Sequence, residues 1–294
     1  MKIALAQINA TVGDLAGNVD RCLAAIEAAR TQGADLVVLP EMAVPGYPPR
    51  DILYDPSFVE AVGEATGDLA RRAASGPPTL VGTVIPSGRT TVKHPGLYNA
   101  AAMLRDGAVT TAAVKRLLPA YDVFLEPRWF VPGPAMAPLE VAGTRVSVLI
   151  CEDMWDESYP VHPPAEALAA GAEVLVVLAA VPFRAGIQAE RLAHARRHGS
   201  PLVHANLIGA NDELIFDGRS FAVNGEGELL AQLPGFEEAM TVVDLDAAPL
   251  EPVTEIDTDK ERFDALVLGV RDFGRKNLQE HLVLGLSGGI DSSV

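Results

Sequence analysis

Cys151 ends a strongly β-forming run, Arg145 to Trp155 (RVSVLICEDMW), and is followed at once by Glu152 and Asp153. A thiol attacks as thiolate, and at a reference pKa of ~8.5 only a minor fraction is ionised at neutral pH. The two adjacent acids push that pKa upward, so a reactive Cys151 needs a cation or a general base from elsewhere. Two kinds of partner are available. The histidines are one: His162 and His204 stand apart, whereas His194 and His198 fall at the helical spacing of surface or packing residues. A carboxylate and an ammonium are the other. Glu41 follows the apolar run Asp35 to Leu39, and Lys115 follows Thr110 to Val114, so each stands where a strand meets a loop. Strand ends are where open α/β sheets gather their chemistry. Cys22, in a helical pattern with nothing catalytic beside it, reads as a small buried hydrophobe.

The elements that must position these residues follow from periodicity. Lys2 to Ile8 reads as a first strand, Asn18 to Arg30 as a helix capped by Asn18 and stopped by Gly33, and Asp35 to Leu39 as a buried strand. Pro56 to Ala74 is helical in pattern, Thr79 to Ile85 is a strand, and Asn99 to Leu104 pairs with Thr110 to Val114 across the Asp106-Gly107 turn. The following loop, KRLLPAYDVFLEPRWFVPG, is aromatic and proline-punctuated, as befits a pocket wall. Beyond Cys151 come a helix at Pro163 to Ala170, a strand at Val174 to Leu178, a helix at Gln188 to His198 and a strand at Leu202 to Ala205. Three strands close the unit, at Arg219 to Val223, Leu229 to Leu233 and Met240 to Leu245. The acidic, proline-bearing DAAPLEPVTEIDTDK from Asp246 marks a boundary, followed by a helix over Thr258 to Asn277 and a strand over His281 to Leu286.

Bulk properties exclude several classes. The formal charge of −16 repels nucleic acid and anionic membrane surfaces, and the longest apolar run, Val174 to Phe183, is about half the ~20 residues a bilayer-spanning helix requires. The N-terminus alternates like a strand and has no signal-sequence pattern, so a soluble cytoplasmic protein is expected. Two cysteines are too few for a disulfide framework or a cysteine metal site. No metal site is expected.

The words around the candidate residues, LPEMAVPGYPPRDIL at Glu41, VKRLLPAYDVFLEPRWF at Lys115 and ICEDMW at Cys151, resemble the nitrilase, or carbon-nitrogen hydrolase, superfamily. More narrowly they are similar to the glutaminase domains of glutamine-dependent NAD synthetases, as is NLIGANDELIFDGRSF from Asn206 to Phe221. The resemblance implies an α/β fold, a four-layer α-β-β-α sandwich over residues 1–245 that self-associates into a homo-oligomer. It implies that Cys151 attacks the side-chain amide of L-glutamine, that Glu41 accepts and returns the proton, and that Lys115 stabilises the oxyanion. Tyr121 then matches a glutamine-contacting tyrosine, and Glu126 a second carboxylate beside the lysine. In the relatives' Asn-Ala-Ser-Pro-Phe…Gly-Lys segment this chain has AAVPFRAGI, so Val181 and Ile187 replace a serine and a lysine, with Arg184 the neighbouring cation placed to take over.

The tail GLSGGIDSS resembles the phosphate-binding loop of the ATP pyrophosphatase family, which implies nucleotide contacts from Gly285, Leu286, Ser287, Gly288, Gly289, Ile290, Asp291 and Ser292. The expected organisation is an amidohydrolase domain at 1–245, a linker and connecting helix at 246–280, and at 281–294 the start of a synthetase domain that uses ATP and Mg2+ on deamido-NAD. The glutaminase reaction itself implies no cofactor. Two other readings fit: a stand-alone amidase for another amide, and a decayed glutaminase scaffold attached to an ammonia-dependent synthetase.

Overall fold

The computed structural model describes residues 1–89, 96–250 and 257–293. Its strands and helices run β1 (Lys2–Gln7), α1 (Leu15–Thr31), β2 (Leu36–Val38), α2 (Pro56–Arg72), β3 (Thr79–Pro86), β4 (Leu97–Arg105), β5 (Ala108–Val114), β6 (Leu139–Val141), β7 (Thr144–Ile150) and α3 (Pro163–Ala169). The chain continues through β8 (Val174–Ala179), α4 (Ile187–Arg196), β9 (Leu202–Asn206), β10 (Ile208–Asn211), β11 (Leu214–Asp217), β12 (Phe221–Val223), β13 (Leu229–Gln232) and β14 (Ala239–Asp244). Helix α5 (Thr258–Lys276) and the single turn α6 (Ile290–Ser293) follow.

Two six-stranded mixed sheets, ordered β14-β1-β2-β3-β4-β5 and β13-β12-β9-β8-β7-β6, stack face to face. The period of two in the strands sorts their residues between layers. Ile3, Leu5, Leu36 and Val38 turn toward the second sheet and share a core with Val146, Val176 and Val203. Ala4, Ala6, Val37 and Leu39 turn the other way, onto Val19, Cys22 and Ile26 of α1 and Val59, Val62 and Leu69 of α2. Ala167 of α3 and Ile187 and Ala195 of α4 join the second sheet's core, which completes the α-β-β-α order expected from the resemblance. The central parallel strand β8 is buried on both faces, in keeping with its continuously apolar sequence.

Several expectations are corrected. Asn18 does not cap α1. Asp14 does, its carboxylate accepting from Gly17 N, while buried Asn18 accepts from Thr11 N and donates to Thr11 O and Val44 O. That side chain ties the loop before α1 to the loop after β2, so its polar character serves a tertiary clip. Residues 281–286 are not a strand: no strand among the described residues pairs with them, and Val283 is 97% exposed. A β-prone run without a ladder partner has nowhere to send its backbone hydrogen bonds. The boundary expected from Asp246 lies partly outside the described residues, at 251–256. Helix α5 packs on the β10–β11 hairpin. Asp272 accepts from Asn9 Nδ2 and Ala210 N, Lys276 Nζ donates to Ala10 O, Ala210 O and Asn211 Oδ1, and Ala265 and Leu268 bury beside Ile208 and Phe236. Among the described residues no helix is long and apolar enough to cross a membrane.

Candidate active site

Glu41 is delivered by the chain leaving β2. Gly82 of β3 lets that turn pass close: a Cβ there would collide with the backbone of Pro40, Glu41 and Met42, and Gly82 instead exchanges hydrogen bonds with Pro40 O and Val44 N. Lys115 extends the ladder one step beyond β5, its N–H donating to Asn99 O at 2.8 Å and its carbonyl accepting from Gly133 N at 2.9 Å. Glu126 comes from a 3₁₀ turn in the loop between β5 and β6. All three side chains are almost fully buried, at 1%, 1% and 3% exposure.

Lys115 Nζ lies 2.9 Å from Glu41 Oε1 and 2.7 Å from Glu126 Oε1. Asn99 Nδ2 donates to Glu41 Oε1 at 2.6 Å, Ala180 N–H to Glu41 Oε2 at 2.9 Å, and Tyr47 OH to Glu126 Oε1 at 3.2 Å. Burial by itself would discharge Lys115, yet Glu126 and Glu41 hold its ammonium well above the usual lysine range. Burial also lifts Glu126 to about 7 against the pull of Lys115.

Cys151 opens a 3₁₀ turn immediately after β7 and has φ +47°, a left-handed conformation that costs a non-glycine residue about 1–3 kcal/mol. Asp153 holds that turn: its carboxylate accepts from Ile150 N, Arg116 N and Leu117 N at 2.9–3.0 Å, tying Cys151 to the backbone beside Lys115. Burial raises the Asp153 carboxyl to about 6, with those three N–H groups opposing the rise. Glu152 points elsewhere and accepts from Tyr121 OH and Tyr159 OH. Burial drives the Cys151 thiol well above its ordinary pKa, Glu41 adds to the rise, and Lys115 and the Ala180 N–H oppose it. The resting nucleophile is therefore the neutral thiol. It can attack only as its proton leaves, and the carboxylate whose field reaches it most strongly is Glu41.

The structure thus gathers Glu41, Lys115, Cys151 and Glu126 at the ends of strands from both sheets. Half-exposed Tyr121 is tied by its hydroxyl to Glu152, the residue after Cys151. Val181 and Ile187 are packed into the core, and the exposed Arg184 is ion-paired with Glu190. The histidines are occupied otherwise: His162 pairs with Asp156, His194 packs on Trp155, and His204 is sealed against Phe221. Sequence reasoning missed Asn99 and Tyr47 because nothing local distinguishes them, and it read Asp153 as a charge beside the thiol where the structure uses it as a backbone clip. The Ala180 N–H has no sequence signal at all.

Residues 285–292 form an exposed turn with Gly288 at φ +85°, in which the Ser287 and Gly289 N–H groups are met by Ser292 Oγ and Ser287 Oγ. They carry no cationic side chain and lead into the turn α6. Among the described residues no group of three or more His, Cys, Asp or Glu could hold a metal ion.

Sheet stacking, strained cysteine and buried Glu-Lys pair define a cysteine-dependent hydrolase architecture, and the carbon-nitrogen hydrolase family matches residues 2–254. The chain belongs to that family. It is 40% identical over 309 residues to the glutamine-dependent NAD(+) synthetase of Rhodobacter capsulatus, an alignment covering 100% of this chain and 53% of the relative. The solved glutamine-dependent NAD+ synthetase of Acinetobacter baumannii, in complex with adenosine diphosphate, superposes with a TM-score of 0.86 at 29% identity, covering 99% of this chain and 55% of that one. A mutant amidase of Nesterenkonia sp. AN1, solved with the acetamide moiety of fluoroacetamide covalently added at its active-site cysteine, superposes with a TM-score of 0.68 at 30% identity, covering 83% of this chain and 90% of that one. The chain spans about half the length of the curated relatives it matches.

Proposed function

We propose that this chain hydrolyses the side-chain amide of L-glutamine to glutamate and ammonia with Cys151, Glu41 and Lys115. The observation that carries the reading is the buried pair Lys115–Glu41 at 2.9 Å, next to a thiol that burial keeps protonated. Cys151 Sγ attacks the amide carbon as its proton passes to Glu41, and Lys115 stabilises the oxyanion. Glu41 returns the proton to the leaving nitrogen, the C–N bond breaks, and ammonia departs from a glutamyl thioester. Water then gives a proton to Glu41 and attacks the thioester, the C–S bond breaks to release glutamate, and Glu41 returns the proton to the Cys151 sulfur to regenerate the thiol. Glu126 buttresses Lys115, and Tyr121 contacts the substrate.

In a longer polypeptide of the relatives' kind, the ammonia would serve a second domain that uses ATP and Mg2+ to amidate deamido-NAD to NAD. Residues 1–245 would then be the ammonia-producing unit, 246–280 the connection, and 281–294 the entry to the nucleotide loop. We assign that assembly to the cytoplasm and to a homo-oligomer. Measuring glutamate release from L-glutamine, with Cys151→Ala as control, tests the reaction. A reactive Cys151 without glutamate release would sink it.

One observation favours a second reading. Apolar Val181 and Ile187 stand where the relatives' segment carries a serine and a lysine, which suits an amide lacking glutamine's α-carboxylate. A panel of simple amides decides between the readings, since faster turnover of an aliphatic amide than of glutamine would establish the amidase.

A further inference from the structure

Arg191 is a fully buried cation outside the Glu41–Lys115 cluster, with exposure of 0%. Its guanidinium is bidentate to Asp217, Nη2–Oδ1 at 2.7 Å and Nη1–Oδ2 at 3.0 Å, and Nη2 also donates to Val181 O at 3.1 Å. Asn206 Oδ1 accepts from Val181 N at 2.9 Å, and Asn206 Nδ2 donates to Gly218 O. Both backbone polar groups of Val181 are therefore fixed, one by a charged donor. Ala180 lies between this clamp and Ala179, the last residue of β8 in register with β9. Its N–H is the group that orients Glu41 Oε2 and also opposes the rise in the Cys151 thiol.

A buried ion pair contributes little net stability compared with apolar residues of the same volume, so a pair placed on a backbone carbonyl beside the nucleophile points to geometry as its use. We infer that Arg191, held by Asp217, is a positioning residue for Glu41, acting through the Val181 carbonyl and the Ala180 N–H. It touches neither substrate nor reacting atoms. The clamp extends outward: Arg219 approaches Asp217 at 3.9 Å and binds Glu261 of α5 at 2.9 Å, so the pair is anchored against α5.

The inference rests on the assignment of Glu41 as proton acceptor, and its test does not depend on glutamine being the substrate. The second-order rate of Cys151 alkylation by iodoacetamide is followed by peptide mass mapping from pH 6 to 9. It is measured for the intact chain, Glu41→Gln, Arg191→Lys and the double variant, with Arg196→Lys as a folding control on the same helix. Lysine keeps the buried charge but cannot grip Asp217 and Val181 O together. Arg191→Lys is expected to slow alkylation near neutral pH by about tenfold and to flatten its pH profile toward that of Glu41→Gln, while the double variant is no slower than Glu41→Gln. Asp217→Asn is expected to behave as Arg191→Lys does. Equal slowing by Arg191→Lys in the presence and absence of Glu41 would overturn the positioning role. Alkylation indifferent to Glu41→Gln would overturn the assignment of Glu41 itself.

Discussion

Lys115 and Glu126 form a buried ion pair at 2.7 Å in which the carboxylate keeps one oxygen, Oε2, without a protein partner among the described residues. Burial raises Glu126 to about 7, so it changes charge within the working range. As pH rises through that value, a new negative charge appears beside Lys115 and alters the field in which Cys151 loses its proton. Cys151 alkylation should therefore show an inflection near pH 7 that Glu126→Gln removes. An inflection that survives in Glu126→Gln assigns it to another group.

Lys115→Met removes the cation between two buried carboxylates while keeping much of its volume. Breaking such a pair costs about 3–5 kcal/mol. Without the cation, nothing opposes the burial that raises the Glu126 carboxyl above its unfolded value, so the folded chain binds more protons and regains stability as pH falls. Denaturant melts should show the deficit larger at pH 8 than at pH 5. A deficit independent of pH argues that packing, not charge, was lost.

His204 is stacked on Phe221 and fully buried, both ring nitrogens lack a partner, and burial lowers its pKa from 6.5 to about 3. Between those values the unfolded chain takes up a proton that the folded chain refuses. Stability should fall by about 1.4 kcal/mol per pH unit on this account as pH drops through that window. In His204→Phe the decline with acid should be shallower by that amount. Parallel stability curves would show that His204 accepts its proton in the fold.

Val181→Ser supplies a hydroxyl one residue beyond the Ala180 N–H that meets Glu41. If glutamine is the substrate, its KM should fall about tenfold, the effect of one recovered hydrogen bond of ~1–3 kcal/mol. Alkylation of Cys151 should not change. An unaltered KM would mean that position 181 does not meet the substrate.

Much of this was legible in the sequence for a physical reason. Alternation in Ile3, Leu5, Leu36 and Val38 belongs to a period of two that only stacked layers can bury, and Asp106-Gly107 is a turn whose residues accept positive φ. Glu41, Lys115 and Cys151 each sit where regular pairing ends, so their positions could be read locally. The positions of Asn99, Tyr47 and Ala180 could not, because their importance arises from juxtaposition across strands distant in sequence. The β10–β11 hairpin was missed because its two strands are only four residues each and are joined by Asp212-Glu213, which lacks the glycine of a typical two-residue turn. The strand expected at 281–286 shows the converse: composition suits β structure, but pairing decides it.

The two cysteines occupy different cores, and burial pushes Cys22 up to about 12 within the layer between the first sheet and α1. Under native conditions this chain should accept one equivalent of a thiol label, at the strained turn after β7. A second equivalent can enter only when α1 lifts from its sheet. The molecule thus contains its own gauge of local opening, in which the ratio of the two labels separates a damaged active site from a loosened protein.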